Sequence, residues 1–300
     1  MLIRSITFAL VGFFVSVPIV QAMTSTNFEI RWDTVSTGGS DTGSSVSYGL
    51  RDTVESALAG TSTSTSFTLQ QGYRNAVDDQ IISFEVYGQN TALGREATAL
   101  TGTTVTASTS SISIGELIVV VQNLGASQIV AIGRVISLGS GTITVDAWKN
   151  GGTQPTVDGT NDYVYPITSS SIALETLSTT SVTTSIVGFE VTAANENGYV
   201  VQVLENGNLL SGTDDVDDVS DGSVSVGSEE YGARSSDTTL SNSTFDTADS
   251  AITSTGADVA TEPAAIYDSY NFLILKVGIS SSTVAGSYTQ ILSVIVSGNF

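Results

Sequence analysis

Aspartate and glutamate are the residues with chemistry to offer in this chain, and they gather in one stretch. Between Asp214 and Glu262 stand Asp214, Asp215, Asp217, Asp218, Asp221, Glu229, Glu230, Asp237, Asp246, Asp249, Asp258 and Glu262, against a single cation, Arg234. Calcium takes six to eight oxygen ligands, and carboxylates on a glycine-containing turn supply them. Asp217-Asp218-Val219-Ser220-Asp221-Gly222 puts Val219 where a helical calcium loop needs an oxygen, so that motif fails. A nonhelical calcium site would use Asp214, Asp215, Asp217, Asp218 and Asp221. The competing reading, a solvated acidic loop that keeps the protein in solution, is favoured.

Other chemistries are excluded by composition. The chain has no His and no Cys. Ser-His-Asp and Cys-His nucleophile pairs are therefore impossible, as are zinc sites built on those ligands and disulfide staples. Two carboxylates suffice for glycoside hydrolysis, but aromatics make up only 7% of residues, which leaves few stacking platforms. The two tryptophans, Trp32 and Trp148, sit in strand patterns where a core role is the default. No catalytic residue and no resident cofactor is expected, calcium being the one ion the acidic stretch suits. With a formal net charge of −21, attraction to nucleic acid or to an anionic membrane face is disfavoured.

The elements that must carry these residues are strands. Charged residues are only 13% of the 300 positions, and Thr, Val, Ile and Ser alternate with glycine punctuation. Thr, Val and Ile fit a pleated surface, while Gly, Ser, Asn and Asp make turns. The expected fold class is all-β in three units behind an export signal.

Residues 1–22 read as a secretory signal peptide. Arg4 supplies the positive start, Ile6 to Val20 the apolar run, and Val20-Gln21-Ala22 the small-residue cleavage site before Met23. The run is short for a membrane span, so no span is expected after cleavage.

Residues 23–80 hold a threefold repeat: Ser25-Thr-Asn-Phe28-Glu-Ile30, Ser45-Val-Ser-Tyr48-Gly-Leu50 and Ser64-Thr-Ser-Phe67-Thr-Leu69. An aromatic and an aliphatic two apart share one face of a strand, with the Gly/Ser stretches between copies as turns. A unit this small cannot easily bury such a face within itself. Phe28, Trp32, Tyr48 and Phe67 are thus candidate assembly residues, for packing on the same chain, on a second copy or on other envelope components.

Residues 81–168 read as a small β-barrel-like domain. Its strands are expected around Ile81–Tyr87, Ile112–Val121, Ile129–Ile136, Thr142–Trp148 and Tyr163–Pro166, with Gly133 permitting a bend. Residues 169–300 read as an antiparallel sandwich, immunoglobulin-like or jelly-roll. Its strands are expected near Ser171–Leu174, Thr183–Ala193, Gly198–Leu204, Asn271–Ile279 and Tyr288–Phe300.

Three stretches carry a resemblance. The first is the N-terminal Ser-x-Asn-aromatic-x-Ile pattern with Trp32-Asp33-Thr34-Val35 and Gly72-Tyr73-Arg74. The second is Asn197-Gly198-Tyr199-Val-Val-Gln-Val203 with Asp221-Gly222 through Gly232, and the third Thr283 through Gln290 with Gly298-Asn-Phe300. Over residues 23–75 and 169–300 the chain resembles secreted β-rich cell-surface proteins of uncultured candidate-phyla-radiation bacteria, with the middle unit as an insertion. The resemblance implies an extracellular or cell-surface location and no defined activity, and it carries over no catalytic position. A secreted structural protein of a surface layer or filament is the expected function, with an adhesin or carbohydrate-binding module, calcium-stabilised or not, as the alternative.

Overall fold

The computed structural model describes residues 38–44, 49–54, 60–63, 68–71 and 82–299. Residues 1–22, expected from sequence to be a signal peptide, and the four aromatics Phe28, Trp32, Tyr48 and Phe67 lie outside them. The chain divides into two compact units, residues 1–78 and 79–300. In the first, β1 (Gly38–Ser44) pairs antiparallel with β2 (Gly49–Val54), and β3 (Gly60–Thr63) with β4 (Thr68–Gln71). Gly38–Ser44, a turn by composition, is thus a strand. Backbone pairing asks only for N–H and C=O groups, which glycine and serine supply as well as valine does.

The second unit fuses a barrel and a sandwich. β5 (Ile82–Gln89) runs through a short 3-10 turn at Thr91–Leu93 into β6 (Arg95–Thr101). There follow β7 (Thr104–Ala107), β8 (Leu117–Gln122), β9 (Ile129–Leu138), β10 (Thr142–Val145) and β11 (Tyr163–Ser169). The ladder β6-β7-β10-β9-β8-β11 closes where β11 meets β6 again, a six-stranded antiparallel barrel. Its interior is filled by Ala97, Val105, Ile118, Val120, Val135, Ile143, Val145 and Val164. Trp148 packs against this core, and its indole N–H donates to Gly102 O at 3.1 Å. Gly133 lies in β9, where an added Cβ would sit 2.6 Å from Ala147 O; the glycine serves a close backbone approach.

The sandwich pairs the sheet β16-β18-β12-β5 with the sheet β17-β13-β19. Its strands are β12 (Thr183–Ala193), β13 (Tyr199–Glu205), β16 (Glu230–Ser235), β17 (Ala257–Glu262), β18 (Ile266–Gly278) and β19 (Leu292–Gly298). A small hairpin, β14 (Leu209–Ser211) with β15 (Asp214–Val216), interrupts the series. From β12 onward the chain crosses between the sheets at every connection. β5 and β12, by contrast, lie side by side in one sheet.

Two features depart from the sequence reading. β5, grouped there with the barrel, pairs along its length with β12, so the barrel is inserted between the first two strands of the sandwich. Ser171–Leu174, expected as a strand, is irregular; Ile172 and Leu174 still pack on the sandwich core. That core joins Phe189, Val191, Tyr199, Val201, Val203, Tyr231, Phe245 and Leu273, among others.

Candidate functional site

The junction between barrel and sandwich positions most of the polar groups with structural consequence. β8 alternates its side chains between two apolar surroundings: Ile118 and Val120 enter the barrel, while Leu117, Val119 and Val121 face the sandwich. β18 does the same, with Leu273, Leu275 and Val277 in the sandwich core and Phe272 and Ile274 toward the barrel. Strands covered on both faces read as continuous apolar runs. A charge inside such a run therefore has a reason to be there, and the runs Val187-Gly-Phe-Glu190-Val and Leu273-Ile-Leu-Lys276-Val each contain one.

On one side of the junction lies a cleft of about 330 Å³, lined by Glu85, Tyr87, Glu116, Leu117, Arg134, Ile167 and Glu190. Arg134, from β9, forms an ion pair with Glu190 of β12 and donates through Nη1 to Gly115 O at 2.7 Å. Glu190 stands directly opposite Glu85 in the β12–β5 register. Burial pushes the Glu190 carboxyl up, Arg134 pulls it down, and Asp268 and Glu85 push it up again. The hydroxyl of Tyr270 lies 2.7 Å from Asp146 Oδ1, a further tie between sandwich and barrel.

On another side Lys276 is 7% exposed and Asp249 5% exposed, with Nζ 2.8 Å from Oδ1. They line a second cleft of about 410 Å³ together with Gln128, Asn150, Arg234 and Phe272. Thr184 of the sandwich donates to Gln128 Oε1 of the barrel at 2.7 Å. In the barrel itself Asp162, 2% exposed, accepts three backbone N–H groups: Asn123 at 3.0 Å, Asp158 at 2.8 Å and Gly159 at 3.1 Å.

The five aspartates singled out from sequence do not make a cage. Asp214 and Asp215 are neighbours on β15, so their side chains leave opposite faces. Asp215 Oδ2 accepts from Asn208 Nδ2 at 2.7 Å, and Asp221 Oδ1 from the backbone N–H of Ser223 at 3.0 Å. Asp217 is exposed, while Asp218 is half-buried, with its carboxyl raised by burial and by Asp217 and Asp215. Among the described residues no group of three or more His, Cys, Asp or Glu side chains is placed to hold a metal ion. Repulsion between like charges keeps a dense acidic stretch apart unless a cation gathers it.

Nor is the acidic stretch a simple solvated loop. It includes β16 and β17, and three of its aspartates are buried, two of them holding backbone N–H groups and the third side-chain amides. Asp237 accepts from the N–H groups of Thr239 at 2.9 Å and Thr261 at 2.8 Å. Asp249 Oδ2 accepts from Val224 N at 3.0 Å, and Asp258 from Gln202 Nε2 at 2.8 Å. Near them Glu205, 5% exposed, has its carboxyl raised to about 7 by burial and by Asp218, while a hydrogen bond from Gln290 opposes the shift. Sequence reasoning passed over Glu190, Lys276 and Asp162, although each is a charge within or beside an apolar strand. Among the described residues no helix is long and apolar enough to cross a membrane. No family model, no curated protein and no solved structure matches the chain.

Proposed function

We propose that the protein is a secreted, non-catalytic structural component of a cell-surface layer or filament, exported by its N-terminal signal. The observation that carries this reading is the fusion of barrel and sandwich. The two share strand pairing, because β11 bonds to β5 as well as to β6 and β8. They also share an apolar layer of Leu117, Val119, Val121, Val130, Ile132, Tyr165, Ile167, Ile186, Phe272 and Ile274. A domain pair joined only by a linker moves by default, whereas a large apolar interface suppresses that motion. Such a body transmits load without hinging, which is what a lattice or fibre subunit needs.

Support also comes from β19, which closes the order β17-β13-β19 and carries the exposed Ile295, with the exposed Ile291 just before it. An edge of this kind recruits further strands. Copies of the same chain or other envelope components are the proposed partners. Electron microscopy of the protein purified from Met23 onward, and of intact cells, tests the reading. Ordered lattices or fibres are expected; monodisperse particles at every concentration, with no surface array, would overturn it in favour of a binding module.

A further inference from the structure

We propose that Lys276 and Asp249 condense into an intramolecular amide that fastens the segment between β16 and β17 to β18. The chain has no cysteine, so a covalent tie must use other chemistry, and a buried amine beside a buried carboxyl is the material for one. Lys276 projects from β18 toward the barrel, on the face that also carries Phe272 and Ile274. Its Nζ lies 2.8 Å from Asp249 Oδ1, yet among the described residues Oδ1 makes no hydrogen bond: the contact has the distance of one and not the angles. Every other polar atom of the pair is already placed for the product. Asp249 Oδ2 accepts from the Val224 N–H at 3.0 Å, and Lys276 Nζ donates to Ala126 O at 3.3 Å. After condensation the amide C=O keeps Val224 and the amide N–H keeps Ala126. The one atom that leaves is Oδ1, the one without a partner.

The step balances without any co-reactant. The reaction begins as one proton passes across the 2.8 Å contact from Nζ to Oδ1, which frees the nitrogen lone pair. The Nζ lone pair attacks Cγ, and charge developing on Oδ2 meets the Val224 N–H. The Cγ–Oδ1 bond then breaks, and Oδ1 departs as water with two of the three protons Nζ began with. Val182, Val219 and Val224, with Ala126 against them, form an apolar cluster alongside the pair.

Two mass measurements on the protein purified from Met23 onward decide the matter. Intact mass is expected to fall short of the sequence mass by one water, about 18 Da. Trypsin acting on the denatured protein is expected to spare Lys276, because an acylated lysine is no substrate. No other Lys or Arg lies between residue 235 and the C-terminus, so the digest yields one peptide, 235–300, lighter by that water. Asp249→Ala restores the full mass and the cut after Lys276, giving 235–276 and 277–300, whether or not this variant folds well. An unreacted parent, at full mass and cut after Lys276, overturns the proposal and leaves a buried ion pair.

Discussion

Replacing Asp162 by alanine removes the acceptor for three backbone donors at once. The carboxylate is 2% exposed and spans Asn123, after β8, and the 158–162 turn that leads into β11. Each N–H left buried without a partner costs about 1–3 kcal/mol, and bonds to a charged acceptor stand at the upper end. Local opening that admits water recovers part of this. The expected loss for Asp162→Ala is then about 4 kcal/mol, a fall in Tm of about 8–16 °C for a unit of this size. Asp162→Asn keeps one oxygen and turns an amide donor toward the remaining N–H groups, so about half that loss is expected. Asp158→Ala is the control: its exposed carboxylate accepts only from Thr160 N at 2.8 Å, and a change below about 1 kcal/mol is expected. Urea unfolding followed by tryptophan fluorescence, with Trp148 reporting from the barrel, measures all three. An Asp162→Ala protein within about 1 kcal/mol of the parent, or a control equally damaged, would refute the claim that this carboxylate holds the turn.

Three further outcomes follow from the same fold. Glu205, raised to about 7 in the folded chain, favours folding while protonated; that stability is present below the ordinary glutamate value and is lost as pH rises through about 7. Glu205→Gln should therefore flatten the Tm profile between pH 5 and pH 8 and raise stability at the upper end by about 2 kcal/mol; an unchanged slope would count against it. Gly133→Ala, whose Cβ would meet Ala147 O at 2.6 Å and Val145 at 2.8 Å, should cost about 2–3 kcal/mol in chemical denaturation, with no loss expected if the glycine served flexibility alone. Glu85→Gln relieves the like-charge pair with Glu190 and should stabilise by about 0.5 kcal/mol at low salt, a gain that fades at high salt; a loss of stability at low salt would speak against repulsion.

What the sequence by itself determined was whatever depends on local periodicity and residue type. The all-β class follows from its β-branched residues and glycine punctuation. β8, β9, β12 and β18 were legible as apolar runs, and Asn123–Gly125 and Gly139–Gly141 form the breaks between β8 and β9 and between β9 and β10. Three of the four residues at the ends of those breaks adopt positive φ: Asn123, Gly125 and Gly141. The absence of His and Cys bounded the chemistry before any fold was considered. Tertiary structure decided the partners. Ile82–Gln89 looks the same whether it pairs with a barrel strand or with β12, since pairing is a contact between distant segments and leaves no mark on one strand's own pattern. β16 and β17 hid in the acidic stretch because their faces are set by what covers them. The aspartates there looked like one cluster because they are close in sequence. In space Asp237 and Asp249 go to different backbone N–H groups and Asp258 to the Gln202 side chain, while Lys276, alone in an apolar run, finds Asp249 from 27 positions away. Desolvation explains the outcome: a charge carried inside by its strand must meet an opposite charge or a donor there, and only the folded chain determines which one is within reach.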